Sequence, residues 1–514
     1  VGTLEIQGTQ TTSRHILEAA KGGGITFLGT MIEYAGRFLL GFILARFMGD
    51  DQYGLYSVVD SAVYLAIGIA PLGLSTGILH FVPIFKNQND NVSLGKTLQA
   101  GLVIPLIVGL LIGGGFFIFA HPLAENVFHE PRVALLLKIA AIAVPVGTAA
   151  AVAVAITQAF KQMHYKVIAQ DIVLTLTKLG LTILLAITGL NAIKAMTAYT
   201  IAMVISCIVL LYFLGRLLPH VQVRQFDFVH IGRMFGFSFP IYLAELLTIL
   251  GPNIRTILLG AWNTVRSAGV FTVAARINMV GGAFSYSINT ISMPIVSELY
   301  ARNEWEQLKH FYQTMTKWTL AFNLPFFILT LLFSRPILAL FGPSFVSGST
   351  ALIVLALNGL VTAATGICGV MVIMTENVWL NTFNSALRLI FTLVFSLWLI
   401  PIGGVVGAAW ATAISLIAVN LILTIEVFIL FRLSPYNRNV IKPLLAGTVS
   451  GLVVWALTHS LFQPDTWLGL IVGTVVLVTL YAAGMWLLGL SADDRLILER
   501  IFGRLSRLYR QARS

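Results

Sequence analysis

Apolar residues in this chain come in long unbroken runs separated by short polar connections. They show neither the alternation of a half-buried strand nor the single stripe of a soluble amphipathic helix. A helix needs about 20 apolar residues to cross a bilayer. By that measure the sequence predicts fourteen spanning helices, at 24–46, 53–83, 94–119, 133–159, 166–189, 193–215, 234–260, 267–297, 308–333, 349–375, 379–400, 405–431, 440–462 and 467–489. The longest internal connection, 216–233, has room only for an amphipathic lead-in to the seventh helix.

The pattern also repeats. Leu44-Ala-Arg-Phe-Met-Gly49 and then Gly54-Leu-Tyr56 open the second run; Leu258-Leu-Gly260 and then Gly269-Val-Phe271 return about 215 residues later. Pro83 answers Pro294, Pro122 answers Pro336, and Gln158 falls near the matching segment end at Thr375. Helices 1–6 and 7–12 thus form two repeats. Because six is even, the repeats share an orientation and relate by an axis along the membrane normal, an arrangement typical of secondary transporters. The expected fold is an all-α integral membrane protein with a central cavity. Its parts are a cytoplasmic N-terminal segment (1–23), an N-lobe (24–220), a C-lobe (221–436), a hairpin of helices 13 and 14 (437–490) and a basic tail (491–514).

Composition excludes a soluble globular protein: 57% of the 514 residues are hydrophobic and only 10% charged. Cys207 and Cys368 lie in apolar runs, so no disulfide framework is implied. The first 20 residues lack an apolar stretch and a small-residue cleavage site, so no removable signal peptide is expected. Lys86, Lys96, Lys161, Lys166, Arg216, Arg224, Arg233, Arg302, Lys309 and Arg432 crowd one set of connections. Arg46, Arg132, Lys138, Lys194, Arg266 and Arg335 are spread thinly over the other. That bias predicts cytoplasmic termini in a cell membrane and accounts for most of the net charge of +11 without nucleic acid. In the tail, Leu496, Ile497, Ile501, Leu505 and Leu508 take one side of a helix. Arg495, Arg500, Arg504, Arg507, Arg510 and Arg513 take much of the rest, a design suited to anionic lipids.

Ten ionisable residues fall inside the predicted spans: Glu33, Arg37, Asp60, Asp171, Lys178, Glu245, Arg255, Arg276, Arg388 and Glu426. Facing lipid, each would cost about 2.5–3.5 kcal/mol, and ten together more than ordinary stability offsets. They are expected to face one another or a wet cavity. Helices 1, 2, 7 and 8, the two equivalent pairs, carry Glu33, Arg37, Asp60, Glu245, Arg255 and Arg276. Gly36 aligns with Gly251, and Gly251-Pro252 predicts a helix break that marks a binding site at matching places. Asp171 with Lys178, and Arg388 with Glu426, read as structural ion pairs. Asp60 with Arg276, or Glu245 with Arg37, read as gate pairs. Leu94-Gly-Lys-Thr97 lacks the first glycine of a phosphate-binding loop, Asp90 standing there, and no His/Glu pair has zinc-ligand spacing. His80 and His164 read as interface residues at cytoplasmic span ends.

The segment Leu44-Ala-Arg-Phe-Met-Gly-Asp-Asp-Gln-Tyr-Gly-Leu-Tyr56, with Leu72-Gly-Leu74 and Pro401-Ile-Gly-Gly-Val-Val-Gly-Ala-Ala-Trp-Ala-Thr412, resembles the polysaccharide transporter family. These are the Wzx-type flippases of the multidrug/oligosaccharidyl-lipid/polysaccharide (MOP) superfamily. The resemblance implies a non-enzymatic secondary transporter that flips polyprenyl-diphosphate-linked oligosaccharide to the outer leaflet by alternating access. It has no catalytic residues, no metal and no cofactor beyond a coupling proton or sodium ion. Arginine binds phosphate bidentately, so Arg37, Arg255 and Arg276 are the candidate diphosphate residues. Glu33, Asp60 and Glu245 are the candidates for ion coupling or gating. The internal duplication makes a monomer the default, with a glycan polymerase or ligase as the partner class. The rivals are a lipid II-type flippase, a multidrug extruder with an acidic cavity, a membrane enzyme of polysaccharide assembly, and a scaffold of such an assembly. An enzyme of that kind needs a larger outer loop than this chain offers.

Overall fold

The computed structural model describes residues 2–218, 227–374, 378–460, 466–489, 491 and 493–494. Regular structure among the described residues is entirely helical. The chain packs as two units, dividing at Thr272 and Val273. The first holds α1 (Gly2–Ile69), α2 (Leu74–Asn87), α3 (Asn91–Ile118), α4 (Arg132–Ala159), α5 (Met163–Ala186), α6 (Ala192–Leu217) and α7 (Phe228–Trp262). Helix α8 (Val265–Ala301) starts in the first unit and continues in the second. The second unit follows with α9 (Trp305–Ala339), α10 (Ser349–Thr365), α11 (Cys368–Met374), α12 (Val378–Phe431), α13 (Ile441–Ser460) and α14 (Trp467–Leu487). The contacts of α7 with α1, α2 and α3 put it in the first unit, although the sequence repeat begins anew near it.

Eleven segments are long and apolar enough to cross a membrane, which makes this a multi-pass integral membrane protein. Two of them, Met31–Asn87 and Trp379–Phe431, are 57 and 53 residues long. A straight helix of that length would far exceed a hydrocarbon core of about 30 Å. Both bend at a glycine in a backbone region closed to other residues: Gly49 (φ 72°, ψ 176°) and Gly404 (φ 51°, ψ −123°). Each turns the chain with no intervening loop.

The breaks expected at Gly36 and at Gly251-Pro252 are not there: α1 and α7 remain helical through them. Pro252 removes one ladder donor, but the flanking turns carry side-chain donors. Asn253 Nδ2 reaches the Ile249 carbonyl at 2.9 Å and Thr248 Oγ1 the Ala244 carbonyl at 3.1 Å. Gly36 serves close packing instead, since a Cβ there would lie 2.1 Å from Thr175 Cγ2 on α5. The chain breaks elsewhere, at Ala70–Gly73 (Leu72 φ 49°, Gly73 φ 83°), at Phe333 and at Gly366. Tyr242 on α7 donates to the Ile69 carbonyl at 3.0 Å, so α7 docks directly on the first of these.

In the first unit the core gathers Ile78, Val82, Leu98, Ile156 and Leu210. In the second it surrounds Tyr312, Met371 and Val427, with a satellite of Leu324, Phe333, Val454 and Leu477 seating α13 and α14 on α9. Of the expected amphipathic lead-in at 216–233, residues 219–226 lie outside the described residues and 228–233 form the first turns of α7, while the basic tail helix lies mostly outside the described residues. The start of the tail is visible, and Ser491 and Asp494 exchange capping-box hydrogen bonds at 3.0 and 3.4 Å. Lys317, deep in α9, holds that start: its Nζ is 2.6 Å from Asp494 Oδ1 and 2.7 Å from Ser491 Oγ.

Candidate functional site

The first unit concentrates charge where α1, α5 and α6 meet. Glu33 and Arg37, one turn apart on α1, form an ion pair at 2.9 Å, with side chains 28% and 54% exposed. Asp60, Tyr64 and Tyr199 stand within electrostatic reach of the Arg37 guanidinium. Asp60 accepts a hydrogen bond from Tyr56 Oη at 3.2 Å. Lys178 lies over the Tyr199 ring at 4.1 Å and the Tyr56 ring at 5.8 Å.

Asp171 completes the cluster, but not as expected. Its partner is Lys166, at 2.8 Å, rather than Lys178. The cause is local winding: Val167–Leu174 is π-helical, and a π turn brings residues five apart over one another. In the same stretch the Ala169 carbonyl accepts from Ser206 Oγ on α6 at 2.8 Å. A Cβ on Gly29 would lie 2.3 Å from Asp171 Oδ2, so only glycine lets α1 come this close.

Of the expected site residues, Glu33, Arg37 and Asp60 are brought together. Glu245 and Arg255 lie nearly three turns apart on α7, about 15 Å along its axis, too far for one phosphate to join. Glu245 is exposed near Tyr242, whereas Arg255 is buried. Arg276 is half-buried on the part of α8 in the second unit. Also in that unit, Glu426 accepts from Asn384 Nδ2 at 2.7 Å and does not pair with Arg388. His80 is more than an interface residue, stacking on Phe237 of α7 at 3.9 Å between ring centroids.

A second cluster, missed from sequence as a unit, sits at the α1 corner. Asp50 pairs with Arg266 at the start of α8. Arg132 holds Asp51 at 2.7 and 3.0 Å and Glu130 at 2.7 and 2.8 Å. The Arg132 hydrogen bonds keep the Glu130 carboxyl below the ordinary glutamate range. At the same corner α1 and the start of α8 approach each other closely. A Cβ on Gly54 would lie 1.8 Å from the Val265 carbonyl oxygen, and one on Gly269 2.5 Å from that of Asp50. Gly54 and Gly269, 215 residues apart, lie against each other's backbone, and both stand in the repeated motifs read from the sequence.

Long apolar helices, loop-free corners and paired charges within them define a multi-pass helical membrane protein. The backbone is similar to that of the lipid II flippase MurJ in an inward closed conformation, with a TM-score of 0.71 and 15% identity, over 90% of this chain and 98% of that one. It is also similar to an inward-facing multidrug resistance MATE family transporter of the MOP superfamily, with a TM-score of 0.62 and 15% identity, over 77% and 94%. These likenesses establish the fold. Residues 43–349, more than half of the chain, match the family model described as polysaccharide biosynthesis protein, and the chain belongs to that family. The protein named "Probable low-salt glycan biosynthesis flippase Agl15" of Haloferax volcanii is 23% identical over 466 residues, 89% of this chain and 92% of its own. Capsular polysaccharide biosynthesis protein CapF of Staphylococcus aureus is 27% identical over 184 residues, 35% of this chain and 46% of its own.

Proposed function

We propose that this protein flips a polyprenyl-diphosphate-linked oligosaccharide from the inner to the outer leaflet of the cell membrane by alternating access. The observation that carries this reading is Arg37. In a polysaccharide biosynthesis family, it is a membrane-embedded guanidinium, 54% exposed, paired to a carboxylate it can exchange for phosphate. Arg255 and Arg276 serve the same diphosphate at other points of its path. Glu33, Asp60 and Glu245 bind the coupling proton or sodium ion, or gate the cavity.

The topology in this reading has fourteen crossings and two lobes. The eleven apolar segments supply most of them, the two bent at Gly49 and Gly404 counting double, and Val265–Ala301 supplies the last. Both termini face the cytoplasm, and the C-terminal basic tail lies on anionic lipid. The carrier works as a monomer, alongside a glycan polymerase or ligase. An anion leaving a negative-inside cell gains about 2.3 kcal/mol per charge per 100 mV, so a diphosphate with two charges gains roughly 4–5 kcal/mol.

The test is flipping of a labelled polyprenyl-diphosphate oligosaccharide in proteoliposomes, with and without proton, sodium and voltage gradients. Wild type should flip it, and Arg37→Ala and Arg255→Ala should lose most of the rate. Folded wild type that flips nothing under any gradient would overturn the reading.

A further inference from the structure

Asn384, Arg388, Thr392 and Ser396 recur every four residues along α12, forming one row on one side of a membrane helix. The row runs about 18 Å at 1.5 Å per residue. Asn384, Thr392 and Ser396 are 2%, 1% and 0% exposed, so it faces protein and not lipid. Arg388 points the same way: it lies within electrostatic reach of Cys368, itself buried on α11.

The row is incompletely satisfied by the protein. Asn384 Nδ2 is used by Glu426, but Asn384 Oδ1, Arg388 Nε and Ser396 Oγ are buried with no hydrogen-bond partner among the described residues. Glu426 is the one described carboxylate in α10 through α14, and Asn384 has taken it. Arg388 therefore has no described carboxylate as its counter-ion. A half-buried membrane cation in this position is a functional feature by default. A donor fork one turn from an unpaired amide oxygen, with an unpaired hydroxyl two turns further on, suits an oxyanion attached to an extended polyol.

The geometry points to an oxyanion-binding row in the second unit, with Arg388 holding a carboxylate or phosphate of the cargo while Asn384 and Ser396 take neighbouring sugar hydroxyls. This inference rests on the flippase reading for the identity of the cargo. The oxyanion has two possible sources, the diphosphate linker or an acidic sugar of the glycan.

Calorimetric titration of the full chain in detergent tests the inference, with sodium glucuronate, inorganic diphosphate and, as neutral control, glucose. Wild type should bind at least one oxyanion, and Arg388→Gln should weaken it at least tenfold, about 1.4 kcal/mol. Arg388→Lys should fall between, because a point charge replaces a planar fork. Arg302→Gln, at an exposed arginine paired to Glu298, should change nothing. A loss confined to glucuronate assigns an acidic sugar, and one confined to diphosphate assigns the linker. A loss of both supports an oxyanion row open to either. No binding by wild type, or equal binding by wild type and Arg388→Gln, overturns the inference. Should Arg388→Gln not fold, unchanged affinity in Arg388→Lys overturns it. Binding is read without transport, so failure of the flipping assay leaves this result standing on its own.

Discussion

Filling the glycine contact at the α1 corner should drive α1 and the start of α8 apart there. An ordinary contact starts at about 3.4 Å, so a Cβ placed 1.8 Å from the Val265 oxygen in Gly54→Ala needs about 1.6 Å of separation. Gly269→Ala, starting at 2.5 Å from the Asp50 oxygen, needs about 0.9 Å. Both obstacles are backbone, so no rotamer change relieves them. Overpacking of this kind costs about 1–3 kcal/mol. In a carrier that alternates between a shut and an open corner, the cost falls on the shut state alone. The open population then rises about 5–150-fold. The assay is maleimide labelling of Ser57→Cys, one turn into the buried side of the corner and 4% exposed, with the buried Cys207 and Cys368 replaced. Labelling should rise strongly in Gly54→Ala and less in Gly269→Ala. The double variant should fall short of additivity, because both methyls press on one gap. Labelling within twofold of the parent in folded Gly54→Ala, or full additivity, would refute the reasoning.

Gly36→Ala should destabilise the protein by about 1–2 kcal/mol through its clash with Thr175 Cγ2. Thr175→Ser should recover most of that, since the next nearest atom, Thr175 Cβ, is already at an ordinary 3.6 Å; thermal unfolding of the two variants decides it. Lys317→Met should cost about 3 kcal/mol or more, because it leaves Asp494 largely buried without its cation. Burial opposes charge on Asp494, but hydrogen bonds from Lys317, Trp318 and Ser491 outweigh it and hold the carboxyl below the ordinary aspartate range. A depressed carboxyl stabilises above its unfolded pKa, about 3.9, and that stability is lost as pH falls through the folded value. The unfolding temperature should therefore drop below about pH 4 in wild type, and Lys317→Met should flatten part of that drop.

Hydrophobic run length was enough to locate most crossings, because lipid demands it of every segment alike. The connections expected at 47–52 and 401–404 contain Gly49 and Gly404, the two glycines at which the long helices bend. Ala70–Gly73 was invisible by that measure: Pro71-Leu72-Gly73 is apolar enough to read as span, although Pro-x-Gly is a turn signal. Pairing was less legible than position. Glu33 and Arg37 followed from α-helical spacing, but Lys166 and Asp171 required a π turn that no pattern announced. The Arg388–Glu426 pairing assumed that opposite charges on adjoining segments meet. It failed because an amide one turn from Arg388 competes for the same carboxylate.

A charged cluster binds cargo only through pairs it can exchange, and the first unit contains both extremes. Separating Lys166 from Asp171, 16% and 1% exposed, would leave a bare carboxylate inside protein, a loss of about 3–5 kcal/mol. Arg37 and Glu33, 54% and 28% exposed, are not sealed inside protein as that pair is. Exchanging Glu33 for phosphate oxygens thus costs Arg37 little and offers it a bidentate anion. The freed Glu33 would remain accessible enough to take up a proton or a sodium ion. Lys178, held against the Tyr199 ring, supplies a further cation to the same cluster. On the proposed function a substitution at Arg37 changes cargo transport with little loss of stability, whereas one at Asp171 lowers stability first.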